Sequence, residues 1–180
     1  MSQDLPQLFM ERPSLADLPP LAPPPGGGVR SYQAGDEAAW VAIVNDAFGF
    51  DHPAEWFWQR LGDGQFRPER VWFATLDGQP VATAAAWLEP DRWDQATGVL
   101  HMVAALAAHR GRGLGRLACL AALHQLAAEG RARVRLRTDD HRLPAIRVYR
   151  GLGFEPFDCH ESHAGRWAAI ERELGRGERH

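Results

Sequence analysis

The stretch Val103–Gly115, reading VAALAAHRGRGLG, constrains the fold of this chain more than any other. It lies partly in an apolar run, Val99–Leu106, which reads as a buried strand. The run opens into a turn where Gly111, Gly113 and Gly115 alternate with Arg112 and Leu114, and Arg110 precedes them. Ala/Leu-rich sequence of helical character comes directly after it. Strand, glycine-rich cationic turn and helix N-terminus together make a receptor for phosphate. Glycines let backbone N–H groups approach closely, and the helix dipole and the arginines favour anions. The expectation is a phosphate-bearing cofactor at this turn.

Composition narrows the class. A chain of 180 residues with 45% hydrophobic and 24% charged residues predicts one globular domain with a sizeable core. No run of about 18 apolar residues occurs, so neither a membrane span nor a membrane partner is expected. The start, MSQDLP, lacks the basic and apolar regions of a signal peptide. Cys119 and Cys159 form no CxxC pattern, and a cytoplasmic, reducing compartment fits. All 20 basic residues are arginine, which suits a GC-rich bacterial genome and excludes a Schiff-base lysine. Residues 1–98 hold 6 Arg against 14 acidic residues (net −8), and residues 99–180 hold 14 against 9 (net +5), together the stated −3. A basic half built around the turn suits a polyanionic cofactor, and an acidic half suits a cationic co-substrate.

Residues 1–28 contain seven of the 13 prolines and are expected to be a Pro/Gly-rich leader without regular structure. Within it, Leu8-Phe9-Met10 suits docking as an extended segment on the body or on a partner. The domain is expected over 29–180. Val29–Tyr32 reads as a strand. A helix starting at Gly35-Asp36-Glu37 places Trp40, Ile43, Val44 and Phe48 three and four apart, and Pro53–Leu61 gives a second short helix. Arg70–Thr75 and Val81–Leu88 predict a hairpin around Asp77-Gly78. After the turn, Leu114–Glu129 predicts a long helix closed by Gly130. Arg131–Thr138 alternates strictly, with one apolar and one arginine face. Pro144 opens a short helix through Tyr149, Phe154–Cys159 reads as a last strand, and Arg166–Leu174 reads as a C-terminal helix. The class is α/β (α+β) with a mixed sheet.

Three phosphate motifs compete for the turn. A P-loop needs Gly-Lys-Ser/Thr, and the chain has no lysine. The Rossmann pattern is met by Gly113-x-Gly115-x-x-Ala118, but only one strand–helix–strand unit is present and the chain is short for a dinucleotide fold. The pattern Arg/Gln-x-x-Gly-x-Gly/Ala fits Arg110-Gly-Arg-Gly113-Leu-Gly115. On that turn, its preceding strand, the alternating strand after the helix, and the segment Leu143–Phe154 with Tyr149 before Gly153-Phe154, the chain resembles the GNAT superfamily of acyl-CoA N-acyltransferases. The resemblance covers roughly residues 28–160.

It implies a single domain with a mixed, mostly antiparallel sheet, splayed central strands and helices on both faces. It also implies acetyl-CoA as co-substrate and no metal. Backbone amides of about Arg112–Arg116 would hold the pyrophosphate, with Arg110, Gly111, Arg112, Gly113, Leu114, Gly115 and Arg116 forming the turn. Backbone groups near Ala104, Ala105 and Leu106 would pair with pantetheine as an added strand does, and one N–H there would stabilise an oxyanion. Tyr149 takes the place of the tyrosine that protonates the departing thiolate. Many members carry asparagine seven positions before it. Here stands Arg142, whose expected roles are a CoA phosphate contact or pairing with Asp139 or Asp140. Residues 138–146 bear a slight resemblance to the mycothiol synthase branch.

Amine attack on a thioester needs a base. His101, taken to share a strand face with Val103 and Ala105, is one candidate; Glu89, Asp91 and Asp94 are others. Trp87 and Trp93 are the tryptophans expected to line an acceptor pocket. Cys159-His160-x-x-His163 has metal-like donors at the fold's last strand and is read as non-metal. The arginines at 131, 133, 135 and 137 lack aromatic interleaving, so nucleic acid is not expected. The reading is a cytoplasmic N-acetyltransferase acting on a primary amine of a small molecule or peptide by direct attack in a ternary complex, with a homodimer as a possible assembly. The alternatives are a non-catalytic CoA-binding module and a dinucleotide-binding oxidoreductase.

Overall fold

The computed structural model of the chain describes residues 5–177. The first four residues of the expected leader and the last three of the expected domain lie outside the described residues. The elements are β1 Leu8–Arg12, β2 Gly27–Ser31, α1 Glu37–Phe48, α2 Trp56–Leu61, β3 Val71–Leu76, β4 Gln79–Trp87, β5 Thr97–Ala105, α3 Leu114–Ala128, β6 Arg133–Thr138, α4 Leu143–Gly151, β7 Glu155–Phe157 and α5 His163–Gly177. The class is α/β, as expected. The chain divides into two compact units: Ser14–Val134, and the residues up to Pro13 together with those from Arg135 on.

In the first unit β2, β3, β4 and β5 form an antiparallel run in that order. The β3–β4 hairpin turns at Asp77 (φ 48°) and Gly78 (φ 80°), the two left-handed residues that a tight primed turn demands. Period-two alternation then sorts the side chains. Val71, Phe73, Ala85 and Trp87 join Trp40, Ile43 and Val44 of α1 and Phe57 and Leu61 of α2 in one buried cluster. The alternate residues Ala82, Ala84 and Ala86 leave shallow ground for α3, which packs on β3, β4 and β5. Leu117, Leu120, Leu123 and Leu126 of α3 are buried, each contributing about 1.5–3 kcal/mol. The approach is close at Gly98, where a Cβ would stand 2.7 Å from Leu126 Cδ2. Any side chain there would force Leu126 out of its present packing.

Ion pairs tie the ends of this unit. Arg70 donates to both Glu129 carboxylate oxygens, at 2.8 and 2.7 Å, joining the start of β3 to the end of α3. Burial pushes the Glu129 carboxyl up, but the bonds from Arg70 and Gln125 and the nearby charges outweigh it and hold the group below its ordinary value.

In the second unit β6, β1 and β7 neighbour one another in that order, and β1 runs antiparallel to β7 with Phe9 opposite Phe157 and Glu11 opposite Glu155. The expectation that the leader holds no regular structure is therefore corrected over Leu8–Arg12, and at Gly27 and Gly28, which open β2 opposite Leu76 and Thr75. Leu8 and Met10 are fully buried. Five of the six residues between Pro6 and Pro13 suffice for a strand, and the partner comes from the far end of the chain, where local composition cannot reveal it. Arg135 donates to Glu11 at 2.6 Å and lies over the Phe157 ring, so it is paired rather than offered to a polyanion. The final helix α5 buries Trp167, Ile170 and Leu174 at helical spacing.

Arg70→Gln is expected to destabilise the protein by about 1–2 kcal/mol at neutral pH, read by urea denaturation. Because the folded Glu129 titrates below its unfolded value, its contribution is complete above about pH 5 and fades as pH falls through the folded pKa. The gap between wild type and variant should therefore narrow towards about pH 3; an equal gap under neutral and acidic conditions contradicts this account.

Candidate functional site

The glycine-rich turn grows directly out of β5. The Leu106 N–H donates to the Val81 carbonyl at 2.9 Å, and the Leu106 carbonyl accepts the His109 N–H at 3.0 Å. A short 3-10 turn over Ala107–His109 comes next. Gly111 and Gly113 then both take φ 77°, and Gly113 is the N-cap of α3 without a side-chain capping bond. A Cβ at either position meets nothing within 4 Å. Glycine is needed there for the sign of φ, and the space over the turn is open. Arg110, Arg112 and Arg116 flank it in sequence, and all three are exposed. Uncapped amides at the start of a 15-residue helix, with three exposed arginines close by in sequence, suit a diphosphate.

Backbone pairing along β5 shows what else is presented. Since Leu106 bonds to Val81, the next pair, Ala105 with Ala82, is the non-hydrogen-bonded one. The N–H and C=O of Ala105 consequently point to the strand edge away from β4, while both backbone groups of Leu106 are already engaged. Ala104 is buried in the cluster beneath α1, and the Ala105 methyl stands 3.7 Å from a Cβ built on Gly115.

A bulge interrupts β5. Thr83 pairs with Ala104 and Ala85 with His101, so the single residue Ala84 opposes both Met102 and Val103. Met102 takes φ 49°, a left-handed conformation unusual for a long side chain. The extra residue changes the parity of the strand. His101 lies on the face that continues at Ala104, with its ring 6.1 Å from that of Trp87, rather than on the face of Val103 and Ala105. The expected alternation through 99–106 therefore fails at Met102. No glycine or proline marked the bulge in the sequence.

The remaining expected residues are dispersed. Trp87 is buried, Trp93 is half-buried with Arg92 stacked on it, and Asp94 accepts bonds from Thr97 at 2.7 Å and Arg133 at 3.0 Å. Tyr149 and Arg142 belong to the second unit. Tyr149 lies in α4, 2% exposed, edge-on to Phe154 at 6.1 Å. Arg142 is the N-cap of α4, and its N–H donates to the Asp139 carbonyl at 3.0 Å. Asp140 is held bidentately by Arg166, whose bonds keep its carboxyl below the ordinary range. His160 bonds to Ser162, and His163 accepts the Cys159 N–H. Among the described residues no group of three His, Cys, Asp or Glu is arranged to hold a metal ion, and no helix is long and apolar enough to cross a membrane.

The seven described strands and the helices around this strand–turn–helix unit define an α/β protein. Residues 38–154 match the acetyltransferase (GNAT) family, and the chain belongs to that family. It is 33% identical over 156 residues to the mycothiol acetyltransferase of Thermomonospora curvata, covering 82% of this chain and 50% of that protein. The chain thus spans about half the length of the curated relatives it matches. Among solved structures it resembles a GCN5-related N-acetyltransferase from Kribbella flavida, with 26% identity, TM-score 0.60, and 85% of this chain and 55% of that one covered. A second, from Sphaerobacter thermophilus, shares the fold at TM-score 0.67 and 23% identity, over 85% of this chain and 50% of that one.

Met102→Val is expected to cost about 1–2 kcal/mol, because a β-branched residue resists positive φ. Met102→Gly should cost less although it removes more apolar surface. Urea midpoints in the reverse order would show that the bulge is not under backbone strain.

Proposed function

We propose that the chain transfers an acetyl group from acetyl-CoA to a primary amine. The observation that carries this reading is the turn itself: two left-handed glycines, uncapped α3 amides and three arginines close by in sequence, immediately after a strand whose Ala105 backbone faces outward. In this reading Arg110–Arg116 hold the pyrophosphate and the outward-facing Ala105 backbone aligns pantetheine, whereas Ala104, opposite Thr83, directs its backbone groups to β4. When bound, acetyl-CoA supplies an activated thioester carbonyl. A β5 backbone N–H steadies the negative charge that develops on the carbonyl oxygen as the amine nitrogen attacks. His101 takes the proton lost by that amine, directly or through water. The carbon–sulfur bond then breaks, and the Tyr149 hydroxyl gives a proton to the departing thiolate. A thiol pKa near ~8.5 makes this assistance useful rather than decisive.

The acidic balance of residues 1–98 suits an amine acceptor that carries further positive charge. The relatives' name places an acceptor of the mycothiol type on the test panel, beside polyamines, amino acids and peptides. Thiol release from acetyl-CoA, followed across that panel, is expected to be stimulated by one amine class. Slow hydrolysis that no amine stimulates would favour a CoA-binding module without acceptor chemistry.

Two substitutions test the roles. Gly113→Val should abolish calorimetric CoA binding, because valine resists φ 77° at the N-cap; persistent binding would refute the turn assignment. Tyr149→Phe should lower kcat about 10- to 100-fold while the KM for acetyl-CoA stays within about threefold. Unchanged turnover removes Tyr149 from the mechanism.

A further inference from the structure

The hydrogen bonds that lead into the glycine turn come from two different elements. Leu106 N–H is held by the Val81 carbonyl of β4. The next amide, Ala107 N–H, is held by a side chain: Asp46 Oδ2 accepts it at 2.6 Å. Asp46 lies near the end of α1, 61 residues away in sequence, and the bond is exposed. The succeeding amides fold back on these two residues, His109 N–H to the Leu106 carbonyl and Arg110 N–H to the Ala107 carbonyl. The place where Arg110–Gly115 begins is therefore set by Val81 on one side and Asp46 on the other.

Asp46 stands on a firm base. Trp40, Ile43 and Val44 anchor α1 in the core with at most 1% exposure. The neighbouring Asn45 clamps the loop after the helix, donating to the His52 carbonyl at 2.9 Å and accepting the His52 N–H at 3.2 Å. The carboxylate is thus delivered from a fixed helix end to a fixed amide.

We propose that Asp46 is a positioning residue for the CoA turn, acting through the Ala107 amide and not by touching the ligand. The proposal rests on the acetyl-CoA reading above. Its physical interest is that charge and geometry act with opposite sign. An anionic carboxylate beside a polyanion site weakens binding by simple repulsion, so deleting it as a mere surface charge tightens binding or leaves it unchanged. Deleting it as the peg that sets the turn weakens binding. Asp46→Asn removes the charge and keeps an oxygen acceptor; Asp46→Ala removes both.

The test uses the full chain, with calorimetric titration of CoA and acetyl-CoA kinetics for wild type, Asp46→Asn and Asp46→Ala. Asp46→Asn is expected to bind CoA within about threefold of wild type or more tightly. Asp46→Ala should bind about tenfold more weakly, the loss of one hydrogen bond's worth of alignment, with KM for acetyl-CoA rising more than kcat falls. Amide exchange at Ala107 in the ligand-free chain reads the bond directly, and should be faster in Asp46→Ala than in Asp46→Asn. Asp46→Ala binding as tightly as Asp46→Asn, or equal exchange in the two, overturns the proposal while leaving the CoA reading intact. Failure of the wild-type chain to bind CoA overturns both.

Discussion

The unit built from residues 14–134 depends on one strand meeting incompatible demands along its length. Near its start β5 must let α3 lie against it, and Gly98 allows this because a Cβ there would overlap Leu126. In its middle it must accommodate an extra residue, which Met102 takes up by adopting φ 49°. At its end it must stop pairing regularly and deliver the chain to a turn of opposite backbone hand. The alanines of β4 and β5 make the first demand easy, since small side chains let the helix come near. The bulge costs about 1 kcal/mol or more of backbone strain, which the packing on either side of it overcomes.

These demands, once met, hold a helix N-terminus in place and leave it open. A helix end usually finds a side-chain cap. Here the N-cap is glycine in a left-handed conformation, no side chain caps it, and a Cβ at Gly111 or Gly113 would meet nothing within 4 Å. The apolar core beneath it, from Leu114 through Leu126, fixes α3 without help from a cap. Stability is supplied by burial rather than by a side-chain cap.

The second unit distributes its stability differently. Its strands β6, β1 and β7 come from three separated parts of the chain, so no local sequence pattern encodes their pairing. Buried Leu8 and Met10, the Arg135–Glu11 pair and the Arg166–Asp140 pair hold this unit together. Two of the β6 arginines, which in the sequence resemble a cationic stripe, are absorbed by carboxylates: Arg135 by Glu11 and Arg133 by Asp94.

Local chemistry made much of this legible without coordinates. The Asp77-Gly78 hairpin, the α1 periodicity through Trp40, Ile43 and Val44, the glycine turn and the α3 helix each obey rules acting over a few residues. The sequence by itself determined them. The extra strand Leu8–Arg12, the Met102 bulge with its reversed parity at His101, and the Asp46–Ala107 bond were not legible. Each depends on a partner distant in sequence, or on a backbone sign that no side chain announces. Propensity and spacing act along the chain, whereas register, bulges and long-range pegs are chosen by the energy of the packed whole, and only the tertiary structure decided them.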